Sequence, residues 1–323
     1  RDFCLSRGLG DVYKRQHLTL MKNGLFLLML IWLSLMEKEI NNWIEESGGK
    51  YRLMRQAVHI ILKSISIEES LNEMMVMKGG TLLGVKHGSD RYTKDIDFST
   101  EKKLSEIDLG DFFNRFNDSM DVAEAELGYG IKCKVQSHKI QPNAQGTFPT
   151  VQINIAFCDR SNASAMKRLE SNQSPSVINI DFSFNEKTYD FDFLSLDGDD
   201  DNDSVKTYSL TDLMAEKYRS VLQQKVRERN REQDIYDINY LLGKYEFSRQ
   251  DKYKILESLL KKSEGKQLDN LLNVKGIRDV EIIERSSQRY QDLSSTVKSL
   301  PLFEDAYEKV ACFYESLPWD IFK

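Results

Sequence analysis

The stretch Met77–Thr100, reading MKGGTLLGVKHGSDRYTKDIDFST, constrains the fold of this chain more than any other. A Gly-Gly-Thr turn at Gly79, Gly80 and Thr81 is followed, about one helix length later, by an Asp-x-Asp pair at Asp95 and Asp97. The short apolar run Met74–Met77 predicts a strand entering the turn, and Thr81–His87 predicts a helix leaving it. Asp95-Ile96-Asp97-Phe98 predicts a second strand, in which alternation puts both carboxylates on one face and Ile96 and Phe98 on the other. Two adjacent carboxylates repel unless a positive charge lies between them. A hard divalent cation such as Mg2+, held by one or two carboxylates and completed by substrate phosphates, meets that need. The glycines let a phosphate approach the backbone closely, and free N–H groups at a helix start favour an anion. Each half has an ordinary explanation, since Gly-Gly before a helix is a common loop and Asp-x-Asp is often a solvated edge strand. In strand–turn–helix–strand order, the two together point to nucleotidyl transfer.

A chain of 323 residues with 40% apolar content can bury one large core or two modest ones, and two domains are expected. Its net charge of −6 gives no global basic footprint for nucleic acid, so any RNA contact must rely on a local patch. Cys4, Cys133, Cys158 and Cys312 are scattered without a Cys-x-x-Cys pair and only four histidines accompany them, which fits a reducing cytoplasm and no structural zinc.

Residues 1–35 look foreign to the rest. Arg1–Gln16 resembles a translated adaptor sequence, and Leu25–Leu35 is an apolar run too short for a spanning helix and about right for a signal-peptide core. No small-x-small cleavage site precedes Met36, where ordinary amphipathic sequence begins, so 1–35 is treated as a non-native or leader segment and no membrane association is expected. From Met36 to Ser66, Ile40, Trp43, Ile44, Leu53, Ala57, Ile60 and Ile61 recur at helical spacing and predict packing helices.

Beyond the Asp-x-Asp strand, Leu104–Leu127 predicts a long helix, after which the period becomes alternating. Val151, Ile153, Ile155 and Phe157 mark one strand; Ile178, Ile180, Phe182 and Phe184 mark another, with Asp181 in mid-strand on its polar face. Asp181 is either part of a solvated strand face or a third carboxylate completing a metal site. Asp197–Asp203 (DGDDDND) is no EF-hand loop, because its sixth position is Asn202 and its twelfth Tyr208. It reads as a solvated loop and a domain boundary. Ser209, with Asp212 three residues on, predicts a helix start, and Leu210, Leu213, Met214, Val221 and Leu222 form the buried stripe. Lys217 falls on that stripe, where an ammonium needs an anion or must snorkel to water. In the next helix Asp234 and Asp237 are three apart and share a face. Lys225, Arg227, Arg229 and Arg231 are the most basic part of the chain, either a phosphate or RNA contact or a solvated face. Amphipathic helices follow to the end, without catalytic spacing.

Lys78-Gly79-Gly80-Thr81 followed by Arg91-Tyr92-Thr93-Lys94-Asp95-Ile96-Asp97-Phe98 resembles the signature of the AbiEii/AbiGii toxin family of nucleotidyltransferases, within the DNA polymerase β-like superfamily. Ala215-Glu216-Lys217 and Arg229-Asn230-Arg231-Glu232-Gln233-Asp234-Ile235-Tyr236-Asp237-Ile238 are similar to two further elements of that family, with Gln233 where a basic residue is common. The resemblance covers most of the chain after Met36. It implies an α/β (α+β) fold, with a nucleotidyltransferase-type mixed sheet and flanking helices over 36–203 and a helical domain over 204–323. It also implies that Asp95, Asp97 and Asp181 hold Mg2+, that Gly79, Gly80, Thr81 and Lys217 bind the NTP, and that Asp234 orients Lys217 or binds the acceptor. A triphosphate would supply the charge opposite Lys217. The expected activity is a cytoplasmic toxin transferring NMP from NTP to a tRNA or other RNA hydroxyl and releasing pyrophosphate, countered by a separately encoded antitoxin. Two other readings fit the same residues: transfer to a small molecule such as an antibiotic, and a non-enzymatic binder that keeps the fold.

Overall fold

The structure, a computed structural model, describes residues 40–196 and 203–321. The segment 1–35, the start at Met36 and the acidic stretch 197–202 lie outside the described residues. Three helices come first: α1 (Ile40–Glu45), α2 (Gly49–Ile67) and α3 (Glu69–Met74). Ala57, Ile61 and Ile65 of α2 are fully buried, spaced four apart as a helix stripe requires. The motif block then unfolds as β1 (Val76–Lys78), α4 (Gly79–Val85) and β2 (Asp95–Ser99). The helix starts two residues before the predicted Thr81, because Gly79 takes φ +77° and lets the chain turn directly off the strand.

After a short 3-10 turn at Leu104–Glu106, α5 (Leu109–Leu127) is capped by the Asp108 carboxylate and ends at Gly128 with φ 62°. There follow β3 (Ile131–Gln141), β4 (Thr150–Asp159), α6 (Ala163–Glu170), β5 (Val177–Ser183), β6 (Phe191–Ser195) and β7 (Ser204–Tyr208). The described strands make one mixed seven-stranded sheet in the order β3-β4-β5-β2-β1-β7-β6. β2 runs parallel to β5 and antiparallel to β1, and β1 runs parallel to β7. The predicted faces hold: Ile96, Phe98, Ile180, Phe182 and Ile153 are buried, while Asp95 is exposed and Asp97 and Asp181 are partly so. Sequence periodicity missed β3. Ile131, Cys133 and Val135 alternate correctly, but a bulge between Val135 and Ser137 breaks the period.

β7 lies past the boundary expected after Asp203 and is hydrogen-bonded to β1 and β6, so the sheet reaches Tyr208 and helices follow from Leu210. These are α7 (Leu210–Leu222), α8 (Gln224–Arg227), α9 (Glu232–Lys244), α10 (Arg249–Ser263), α11 (Val280–Ser287) and α12 (Phe303–Glu315). Ser209 caps α7 as predicted, its hydroxyl accepting the Asp212 N–H at 3.2 Å. α7 packs between α9 and α10, which buries it on nearly every side and makes Lys217 an interior residue. Among the described residues no helix is long and apolar enough to cross a membrane.

Candidate functional site

Strand register builds the floor of the site. Lys78 of β1 is opposite Asp97 of β2, Asp97 is opposite Asp181 of β5, and Asp181 is opposite Gln152 of β4. Residues directly opposite on neighbouring strands project to the same face, so four polar side chains form one row at strand spacing, about 4.8 Å per step. Gln152 donates its amide to Asp181 Oδ1 at 3.1 Å, and Asn179 does the same for Asp95 Oδ1 at 3.0 Å. The Asp97 carboxylate accepts no hydrogen bond among the described residues. Burial, reinforced by Asp181 and Asp95, pushes Asp97 up to about 6 in spite of Lys78. Asp181 is raised too, again by burial first, against the Gln152 hydrogen bond.

An acid so placed is short of positive charge. Among the described residues no three His, Cys, Asp or Glu side chains are grouped as a ready cation cage. The donor chemistry nevertheless fits a hard divalent cation. All donors are carboxylate oxygens, the ligand type Mg2+ takes, with substrate oxygens and water completing its shell.

The glycine turn is shaped around Asp97. A Cβ on Gly79 would stand 1.8 Å from Asp97 Oδ2, at a backbone φ of +77° that side chains rarely adopt. Gly79→Ala must therefore displace the carboxylate and carry left-handed strain of roughly 1–3 kcal/mol. Loss of nucleotide transfer together with a lower thermal midpoint is expected, to be read by labelled-product assay and calorimetry. A Cβ on Gly80 would meet the Arg91 guanidinium at 2.7 Å. Thr81 departs from its predicted role. Its side chain is buried, and its hydroxyl donates to the Asp95 main-chain carbonyl at 2.7 Å, which fixes the start of β2 and leaves that hydroxyl nothing for a phosphate.

Lys217 has its counter-charge within the protein. Its ammonium donates to Asp237 Oδ2 at 2.6 Å and Asp234 Oδ1 at 3.1 Å, so the anion expected from a triphosphate is already supplied by α9. Burial disfavours the charge, but Asp237 and then Asp234 outweigh it and hold Lys217 above its ordinary value. Asp237 is fully buried, and Arg91 grips it from the other side with Nε and Nη2 at 2.7 and 2.8 Å. Burial opposes the Asp237 carboxylate, yet Arg91 and Lys217 keep it below the usual range. Arg91 and Asp237 both lay within the motifs singled out above, without a role. Their pairing joins residues 146 apart and carries no signal in local spacing.

A further buried network flanks the row: Lys78 pairs with Glu186 at 2.5 Å, Glu186 with Lys266 at 3.2 Å, and Arg219 with Glu216. A cleft of about 520 Å³ is lined by Lys78, Glu186, Glu216 and Arg219 of this network. Gly79, Gly80, Asp95, Asp97, Asp181, Lys217 and Asp234 all line it, and Thr81 does not. Arg227, Arg229 and Arg231 line it too, whereas Lys225 is drawn off to Asp279 at 2.7 Å. The chemistry available is a row of acidic oxygens beside a Cβ-free backbone turn and an interior ammonium.

A family model described as "Nucleotidyl transferase AbiEii toxin, Type IV TA system" matches residues 60–309. No curated protein sequence matches the chain. Among solved structures it is similar to MenT4, a nucleotidyltransferase toxin from Mycobacterium tuberculosis, with 15% identity, 87% of this chain and 90% of that one covered, and a TM-score of 0.55. It is also similar to the JHP933 protein of Helicobacter pylori, with 13% identity, coverage of 84% and 93%, and a TM-score of 0.48. The MenT4 likeness is one of fold.

Proposed function

Because this chain belongs to the AbiEii nucleotidyl transferase toxin family of type IV toxin–antitoxin systems, we propose that it moves the NMP of an NTP, with Mg2+, onto an RNA hydroxyl in the cytoplasm, tRNA being the first acceptor to test. The family makes it a nucleotidyltransferase with an NTP substrate and an antitoxin counterpart. The observation that carries the finer reading is the register placing Asp181 and Lys78 on either side of Asp97 on the floor of the cleft. Asp95, Asp97 and Asp181 would hold Mg2+, which when bound supplies Lewis-acid stabilisation of phosphoryl oxygens.

The chain's own groups account for the rest. Gly79 and Gly80 leave their main-chain N–H groups open to the triphosphate. Lys217 spends two of its three protons on Asp234 and Asp237 and keeps the third for a phosphate oxygen. The acceptor hydroxyl attacks the α-phosphorus, its new O–P bond forming as the bond to the pyrophosphate oxygen breaks. Asp181, next to Asp97 across the strand pair, would take the hydroxyl proton. The division into a nucleotidyltransferase core and a helical C-terminal region belongs to this reading, with β7 counted in the core.

Incubating the full chain with each α-phosphate-labelled NTP, Mg2+ and total tRNA tests it, beside an Asp97→Asn control. Label on tRNA only with intact Asp97 is the expected result and names the nucleotide. Mg2+-dependent NTP binding without any labelled RNA would discard RNA as acceptor while keeping the site.

A further inference from the structure

The cations lining the cleft divide into two groups. Lys78, Arg91, Lys217 and Arg219 are each paired to a carboxylate. Arg227, Arg229 and Arg231 line the same cleft, and among the described residues their guanidinium groups make no ion pair or hydrogen bond. In a chain of net charge −6, three neighbouring arginines without a counter-ion are unusual, and like charges repel at a cost that folding must offset.

The loop that presents them is built rather than slack. Gln224 is buried, donates its amide to Ser286 Oγ at 2.8 Å, and accepts the Arg231 N–H on its side-chain oxygen at 2.7 Å. Its main-chain carbonyl takes the Arg229 N–H at 3.2 Å, and Glu228 turns the chain at φ 49°. One interior glutamine thus pins the backbone on which the arginines stand. Arg227 and Arg229 are exposed and Arg231 is partly so, placing the charge at the rim, where a large polyanion can reach it. The planar guanidinium fork matches phosphate oxygens.

We propose that Arg227, Arg229 and Arg231 are the docking site for backbone phosphates of the acceptor RNA, distinct from the triphosphate wall at Gly79, Gly80 and Lys217. This rests on the RNA-acceptor reading above. Each arginine on a phosphate releases counter-ions and steepens the salt dependence of binding, whatever the base sequence.

The test uses the full chain carrying Asp97→Asn, so that binding is read without turnover, and adds Arg227→Gln, Arg229→Gln and Arg231→Gln together. The charge control is Arg52→Gln, Arg115→Gln and Arg289→Gln, which changes net charge equally at residues that do not line the cleft. Binding of a labelled tRNA pool is measured across salt concentration in these chains, and NTP binding in parallel in the same triple variants with Asp97 intact. The cleft triple variant should bind tRNA roughly 10–100-fold more weakly, with a log–log salt slope shallower by about 2–3, while NTP affinity and the control triple stay near the parent. A loss of NTP affinity with the RNA slope intact would assign the arginines to the triphosphate and overturn the proposal. So would equal slopes in both triples, or a parent chain that binds no tRNA. Because label transfer is assayed separately, a chain that transfers to no RNA yet loses its salt slope in the cleft triple refutes the acceptor reading alone.

Discussion

Asp97→Asn should slow nucleotide transfer by about a thousandfold while making the metal-free protein more stable at pH 8. The first effect follows from removing the carboxylate at the centre of the acidic row, where a cation and the reacting phosphate would meet. The second follows from linkage. Burial raises Asp97 to about 6 in the fold, above its ordinary 3.8, so the folded chain holds this proton more tightly than the unfolded one. The stability tied to that proton is fully present below about pH 4 and is lost as pH rises through 6, a difference of up to about 3 kcal/mol. An amide carries no charge and escapes that loss. Thermal unfolding of both proteins in EDTA from about pH 4.5 to 8 is the measurement, and the gap in favour of the Asp97→Asn variant should open across the window from about 4 to 6. A gap that stays constant with pH, or a variant less stable at pH 8, would sink the account of Asp97 as a strained carboxylate waiting for a cation.

The largest loss of stability is expected from Asp237→Ala. This carboxylate is fully buried between Arg91 and Lys217, and Arg91 has no other ion-pair partner among the described residues. Removing it strands a buried guanidinium and leaves Lys217 with Asp234 alone, so a cost of about 3–5 kcal/mol is expected. Asp237→Asn should lose nearly as much, since it restores shape without charge. Asp234→Asn should cost clearly less, because Lys217 keeps its shorter bond to Asp237. Urea midpoints of the three variants decide the order, and an Asp234 variant as damaged as Asp237→Ala would show that the load is shared instead. The pH dependence has the opposite sign to that of Asp97. Asp237 is held below its ordinary value, so its contribution is present above about pH 4 and disappears as pH falls through the lowered folded value. The two Asp237 variants should accordingly converge on the parent in acid.

Local pattern carried the two acidic strands well. Alternation in Asp95–Phe98 and Ile178–Phe184 put the acids on one face and the apolar side chains on the other, as observed. Helical spacing put Lys217 on a buried stripe, as it is. Sequence could not reveal which groups would meet. That Lys78 and Asp181 flank Asp97 depends on strand order and register, and that Asp237 answers both Arg91 and Lys217 depends on how α9 docks against the loop before β2. Thr81 departs from expectation for the same reason: its hydroxyl finds the Asp95 carbonyl 14 residues on, a partner that exists only once the turn has closed. β6 is obscured by the outward, half-exposed aromatic rings of Phe191 and Phe193, which place apolar residues where alternation expects polar ones.

The sheet order has a consequence for how such a protein can be made safely. β1, which carries Lys78 into the site, is hydrogen-bonded on one side to β2 and on the other to β7, whose Thr207 pairs with Met77. During synthesis β1 remains an open edge until residue 208 has left the ribosome, and the clamp on Arg91 must wait for residue 237. A chain that ends between Asp181 and Ser204 therefore contains every acidic residue of the row without β7 or the Asp237 clamp. The topology completes the frame around the acidic row only once the α9 helix has emerged and docked.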